Sequence, residues 1–275
     1  MTANNQYGIV QGRLIQSPPD ELQWFPQNYW ESEFFIAASL EVKYIELIAE
    51  RAHNPKNPIW TDDGIAKIKE LCKRNNLSRY AICNDYIIDH NLIGEDSSAV
   101  FDQMQSFLQR AISLDMKIVV LPFFEESELN SANEDLYIPV LKKIADIAKS
   151  SNILLCLETV MNGSELINLF KKLNHSHVKC VFDTGNRVAF KHDIYSDIRL
   201  LKQHIAHVHI KDKNVDNKNV LLGEGLVNFH EVFRALSDID YQGNYTFETH
   251  RGNNPFATAK FHMELCSFCA QDAGK

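Results

Sequence analysis

The chain reads as an α/β protein, a (β/α)8 TIM barrel forming one domain over residues 1–275. Three observations predict it. Short runs rich in β-branched and aromatic residues alternate with longer segments of helical period. There are eight of each, the number a closed barrel of this size needs. No Pro/Gly/Ser linker separates a second domain. A doubly wound open sheet is the competing arrangement. The strands read as 7–12, 43–48, 78–83, 117–122, 153–158, 178–183, 205–211 and 244–249. The helices read as 30–40, 62–75, 97–115, 132–150, 163–173, 192–203, 228–237 and 255–270, with Thr61, Ser97 and Asn228 as capping residues. There is no internal repeat and no low-complexity run.

Composition narrows the function. Lys and Arg total 28 against 36 Asp and Glu, a formal charge of −8, which is the wrong sign for neutralising nucleic-acid phosphates. No apolar run approaches the roughly 18 residues of a membrane span, and the N-terminus lacks a signal-peptide pattern. A cytoplasmic protein with no nucleic-acid or membrane partner is expected, and a homo-oligomer is compatible with the composition. Of six cysteines, Cys72, Cys83, Cys156 and Cys180 fall inside apolar patterns and read as reduced hydrophobes. Cys266 and Cys269 form a lone CxxC in the last helix, a weak signal for zinc or redox work without a second pair.

A barrel of this type carries its function at the C-terminal ends of its strands. Polar residues do gather there: Gln11 and Arg13 after the first strand, Glu46 in the second, Asn84 and Asp85 after the third. Glu158, Asp183, His209 with Lys211, and Glu248 close the last four. Alternation along a strand separates the two faces. In HIAHVHIKDK, Ala206, Val208 and Ile210 form an apolar row for the helices, so His207, His209 and Lys211 point inward. His209 then lies about 7 Å nearer the mouth than His207. His209 is the ligand candidate, His207 a core histidine, and His204 precedes the strand. The same alternation turns Glu158 and Glu248 inward, with Asp183 at equal height.

Carboxylates buried together repel and desolvate at a cost of several kcal/mol unless a cation compensates them. One divalent metal ion is the simplest resolution, and an oxygen-rich set with one imidazole favours Mn2+, Mg2+, Co2+ or Zn2+. Pairing of these acids with nearby Lys and Arg is the alternative.

The order Glu158 in LET, Asp183 in FDTGN, His209 in HVHIKD, the LGEG of 222–225 followed by VNF, and Glu248 in FETHRG resembles the xylose-isomerase-like barrel superfamily. Within it, the chain is most similar to the sugar and sugar-phosphate isomerase/epimerase branch, which includes keto-sugar 3-epimerases and L-ribulose-5-phosphate 3-epimerases. The similarity runs through nearly the whole chain, with its specific motifs in 153–252. The resemblance implies that Glu158, Asp183, His209 and Glu248 hold one divalent metal and that Glu158 and Glu248 are the catalytic proton carriers. It implies proton abstraction beside a metal-chelated carbonyl through an enediolate. Many relatives carry His three residues after the strand-six Asp, where this chain has Asn186. The Asp-x-His pair of the DNA-repair branch is also missing from NVDNKNVLL, which argues against a trinuclear zinc cluster and an apurinic-site endonuclease.

A lyase of the keto-polyol or dehydroshikimate dehydratase type, or a non-catalytic sugar-binding barrel, would use the same platform. Lys211, Arg13, Arg251 and Lys213 are the cations expected near the mouth to grip an anionic group of the sugar. Asn186, Glu46, Asn84 and Glu224 complete the expected substrate contacts. Tyr7, Trp24, Trp30, Trp60 and Phe124 are the aromatics from which an apolar sugar platform could come.

Overall fold

A computed structural model describes residues 6–19 and 21–273. Its strands, β1 (Tyr7–Val10), β2 (Tyr44–Ala49), β3 (Ala81–Asn84), β4 (Ile118–Phe123), β5 (Leu154–Thr159), β6 (Val178–Asp183), β7 (Ile205–Ile210) and β8 (Asn244–Phe247), close in chain order into a parallel barrel. The outer helices are α1 (Trp30–Ser39), α2 (Asp62–Arg74), α3 (Tyr86–Asp89), α4 (Ser97–Ser113), α5 (Glu134–Ser150), α6 (Gly163–Leu173), α7 (Thr184–Ala189), α8 (Ile194–Leu201), α9 (Phe229–Asp238) and α10 (Pro255–Ala273). None of the described helices is long and apolar enough to cross a membrane.

Contacts gather the chain into two compact units, 44–180, and 1–43 with 181–275. In the first, Ile48, Cys83, Val120 and Cys156 stand in register on neighbouring strands. Period-two alternation therefore places Asp85 and Glu158 one layer beyond this row, towards the strand C-terminal ends, and Glu46 one layer behind it. In the second unit, Val208 pairs with Tyr245 and His209 with Thr246. Tyr245 and Phe247 alternate outward, where Tyr245 packs on Tyr7 (5.6 Å), Phe233 of α9 (5.5 Å) and Tyr241 (5.4 Å). Each such buried aromatic contributes roughly 1.5–3 kcal/mol by leaving water. Tyr7 also stacks on Phe247 at 5.2 Å, so it belongs to this outer layer and not to a sugar platform. Trp60 likewise faces Phe107 of α4 at 6.3 Å.

Thr61 caps α2 by accepting from the Gly64 amide, and Asn228 caps α9 by accepting from Glu231. Ser97 is not a cap: α4 starts on it, behind an Asp96 that makes no side-chain capping bond. The expected strands are shorter at several ends. β1 stops at Val10 because Gly12 takes φ +85, a left-handed turn that ends the ladder. β3 starts at Ala81 instead of 78. Two short helices, α3 and α7, were not expected. Cys266 and Cys269 are free buried thiols; burial pushes Cys266 well up from its ordinary value, so it packs as a neutral hydrophobe.

Candidate metal centre at the strand ends

The last three strands deliver Asp183, His209 and Glu248 to one place. Asp183 closes β6 and caps α7: its Oδ1 accepts from the Asn186 amide at 2.7 Å. Its Oδ2 lies 3.0 Å from Lys211 Nζ and 3.9 Å from His209 Nδ1. Glu248 follows β8 directly, and its amide still donates to the Ile210 carbonyl at 3.0 Å, which continues the ladder one residue past the strand. Its Oε2 sits 3.1 Å from His209 Nδ1 and 2.6 Å from Lys211 Nζ, and its Oε1 3.4 Å from Arg13 Nη2. Burial alone would raise the Glu248 carboxyl, but Lys211, His209 and Arg13 outweigh it and hold the group well below the ordinary carboxylate range. It is therefore an anion at neutral pH.

Asp183, His209 and Glu248 each offer one ligand atom, and these atoms all lie within 4.8 Å of one another. Two carboxylates, Asp183 buried and Glu248 partly buried, with a buried imidazole are a hard, oxygen-rich donor set suited to Mn2+, Mg2+, Co2+ or Zn2+. His207 lies two residues back along β7, where Thr246 Oγ1 and His207 Nε2 are 3.0 Å apart. That depth fits His207 as a core histidine.

Lys211 is held by its own backbone. Thr184 Oγ1 donates to the Lys211 carbonyl at 2.6 Å and accepts from its amide at 3.0 Å. A Cβ on Gly185 would come within 2.7 Å of Lys211 Cγ, so the Asp-Thr-Gly run combines an acid, a clamp and a gap through which the lysine stem passes. Arg13 is 2% exposed, with Nη2 on Gln23 Oε1 at 2.9 Å. Arg251 is also buried but spends Nε on the Gly12 carbonyl (2.7 Å) and Nη1 on the Glu21 carbonyl (3.0 Å). Burial and the neighbouring Arg13 push it down to about 9. Arg251 lines a hollow of about 510 Å³ with residues 16–19, 21–22, 217–219, 250 and 252.

The sequence model of a family described as Xylose isomerase-like TIM barrel matches residues 34–266. The chain belongs to this family. L-ribulose-5-phosphate 3-epimerase UlaE of Escherichia coli (strain ATCC 8739 / Crooks) is 27% identical to this xylose isomerase-like chain over 169 residues, 57% of the chain and 59% of that enzyme. The match thus spans less than two thirds of the relative's length. A solved L-ribulose 3-epimerase superposes with TM-score 0.78 at 16% identity, covering 98% of this chain and 95% of the other. The IOLI protein, solved with a zinc atom, superposes with TM-score 0.72 at 16% identity over 98% and 97%. At such identities the two structures establish the shared barrel.

Within this xylose isomerase-like barrel, three expected substrate residues stand elsewhere. Asn84 is turned the wrong way: Nδ2 lies against Gln103 Oε1 (3.5 Å) and Met104 Sδ (3.3 Å) of α4. Asn84 thus stands on the outward row of β3, and the inward row is Ala81, Cys83 and then Asp85, which sits 3.1 Å from Cys83 Sγ. Glu224 is exposed at a bend in the loop after β7. The acid that organises its loop is Asp212, whose Oδ1 accepts from the amides of Lys213 (2.9 Å) and Val227 (3.1 Å) and Oδ2 from Gly223 and Gly225 (3.0 Å each). A Cβ on Gly225 would strike that carboxylate, which explains the glycines of Gly-Glu-Gly. Lys213 reaches Asn217 at 2.8 Å instead of the mouth, and Asn186 is half-buried beside Asp183. Asp85, Glu33, Thr184 and Asp212 are the polar residues that strand-end reasoning passed over or left unassigned. The period-two row through Cys83 could have found Asp85.

Proposed function

We propose that residues 1–275 act as one barrel domain that epimerises a small keto-sugar or its phosphate, with a divalent metal held by Glu158, Asp183, His209 and Glu248. The convergence of the Asp183, His209 and Glu248 ligand atoms within 4.8 Å carries the reading. The L-ribulose-5-phosphate 3-epimerase relative supports the reaction class, and the zinc in the IOLI structure supports a metal in this fold. A divalent ion bound there would polarise a substrate carbonyl and acidify the neighbouring C–H.

The chain's own residues then carry the proton. One of Glu158 and Glu248 takes the proton from the carbon beside the carbonyl as its electron pair moves into the enediolate; the other returns a proton to the opposite face. Glu248 is suited to the accepting role because Lys211 and Arg13 hold it ionised. Lys211, fixed by Thr184, and Arg13 contribute positive charge for the developing oxyanion. The 510 Å³ hollow beside Arg251 would take the distal end of the sugar, phosphorylated or not.

The test is incubation of the protein, loaded with Mn2+ or Zn2+, with L-ribulose 5-phosphate and with free ketopentoses and ketohexoses, followed by NMR. Inversion of one carbon, abolished by chelator, is expected. Loss of water from the sugar would move the assignment to a dehydratase, and no turnover of any ketose would contradict the proposal.

A further inference from the structure

Glu33 lies in the first turn of α1, where an acid normally faces water and the helix dipole. Here it is 1% exposed. Its carboxyl accepts from the Gly12 amide at 2.7 Å (Oε1) and 2.9 Å (Oε2) and from the Leu14 amide at 3.3 Å. The segment it grips is the turn that leaves β1. The Gly12 carbonyl, meanwhile, is held by Arg251 Nε at 2.7 Å. Both polar groups of this residue are thus tied to side chains, one from α1 and one from after β8. Its φ of +85 and a Trp24 carbonyl packed where a Cβ would stand leave no room for a side chain.

Arg13 is the residue held between those two amides. Its guanidinium reaches Gln23 Oε1 (2.9 Å), the Thr249 carbonyl (3.4 Å) and Glu248 Oε1 (3.4 Å). We propose that Glu33 is a positioning residue whose carboxyl fixes the backbone on both sides of Arg13 and thereby sets the Arg13 guanidinium against Glu248. A carboxyl is needed because both oxygens accept from the Gly12 N–H and one of them also from Leu14; a Gln in either orientation would turn an NH2 donor towards the Gly12 N–H. Those bonds and the nearby charges of Arg251 and Arg13 offset part of the cost of burying the acid. The catalytic consequence rests on the role proposed for Glu248, whereas the brace itself does not.

Two readouts keep these apart. Amide hydrogen exchange at Gly12 and Leu14, and the Arg13 Nε–H NMR signal, are compared in wild type and Glu33→Gln. Exchange at those two amides should rise at least about tenfold and the Arg13 signal should move, with β7 and β8 amides unchanged. Unchanged protection and an unmoved signal would overturn the proposal, whatever the protein catalyses. For turnover, Glu33→Gln should lower kcat about tenfold or more with KM changed less than about threefold, and Arg13→Ala should do the same. The double variant should be no slower than Arg13→Ala alone, within about twofold. Multiplying losses would mean that Glu33 does not act through Arg13. Should Glu33→Gln fail to fold, Glu33→Asp, which keeps the carboxyl but falls one methylene short of the amides, takes its place under the same criteria. If wild type turns over no ketose, the function proposal fails while the exchange and NMR arms still decide the brace.

Discussion

Replacing Lys211 with Met removes one charge and leaves most of the stem that passes Gly185. In the chain as folded, Nζ stands 3.0 Å from Asp183 Oδ2 and 2.6 Å from Glu248 Oε2. At an effective dielectric near 20, each pair is worth about 5–6 kcal/mol of Coulomb attraction. Desolvation of the buried ammonium cancels much of this, and breaking one side of a buried pair typically costs about 3–5 kcal/mol net. Urea unfolding in chelator at neutral pH should therefore show Lys211→Met less stable by about 3–5 kcal/mol. The pH dependence has a definite sign. The folded Glu248 carboxyl is held below its ordinary value, so its contribution is present above the unfolded value and is lost as pH falls through the folded one. The gap between wild type and variant should accordingly be full at neutral pH and narrow below about pH 4 as the acids protonate. Saturating Mn2+ should also narrow it by restoring positive charge. A variant within about 0.5 kcal/mol of wild type in chelator, or a gap independent of both pH and Mn2+, would refute the reasoning.

Asp212→Ala strips the acceptor from four backbone amides and should destabilise the protein by about 3 kcal/mol, with faster hydrogen exchange at 223–227. An exchange pattern like wild type would show that the loop holds itself. Glu33 supplies the opposite pH signature to Glu248: burial, opposed by its amide bonds, pushes its carboxyl from the ordinary 4.5 up to about 7. The folded state keeps that proton longer, so this group's cost is absent below about pH 4.5 and reaches about 3 kcal/mol above about pH 7. Denaturant midpoints at pH 5 and pH 8 should show that fall in wild type and lose it in Glu33→Gln.

The barrel was legible because eight strands of period two and eight helices of period 3.6 leave few alternatives, and the last four strands end on acids and an imidazole. His209 and Glu248 read inward by alternation, and Asp183 by closing its strand at the same height. Asn84 is not put through that alternation. Its place at the strand end singles it out, with no row assigned to β3, and it falls on the row that packs on α4 while Asp85 faces inward. Glu224 drew notice as a charged residue inside a motif, yet the motif consists of glycine amides wrapped round Asp212. That contact spans 11 to 15 residues and has no local signature. Glu33 looks like any acid of a first helical turn, since periodicity gives no sign of a bond to an amide 21 residues away. α3 and α7, of four and six residues, are too short for a period to register.

Deuterium wash-in tests the central claim most directly. With metal-loaded protein and a turned-over ketose in D2O, the carbon beside the carbonyl should acquire solvent deuterium. Glu158→Gln and Glu248→Gln, each shown to be folded, should each stop net epimerisation. Inversion without solvent exchange, or undiminished inversion in either variant, would contradict proton transfer by the two glutamates at this site.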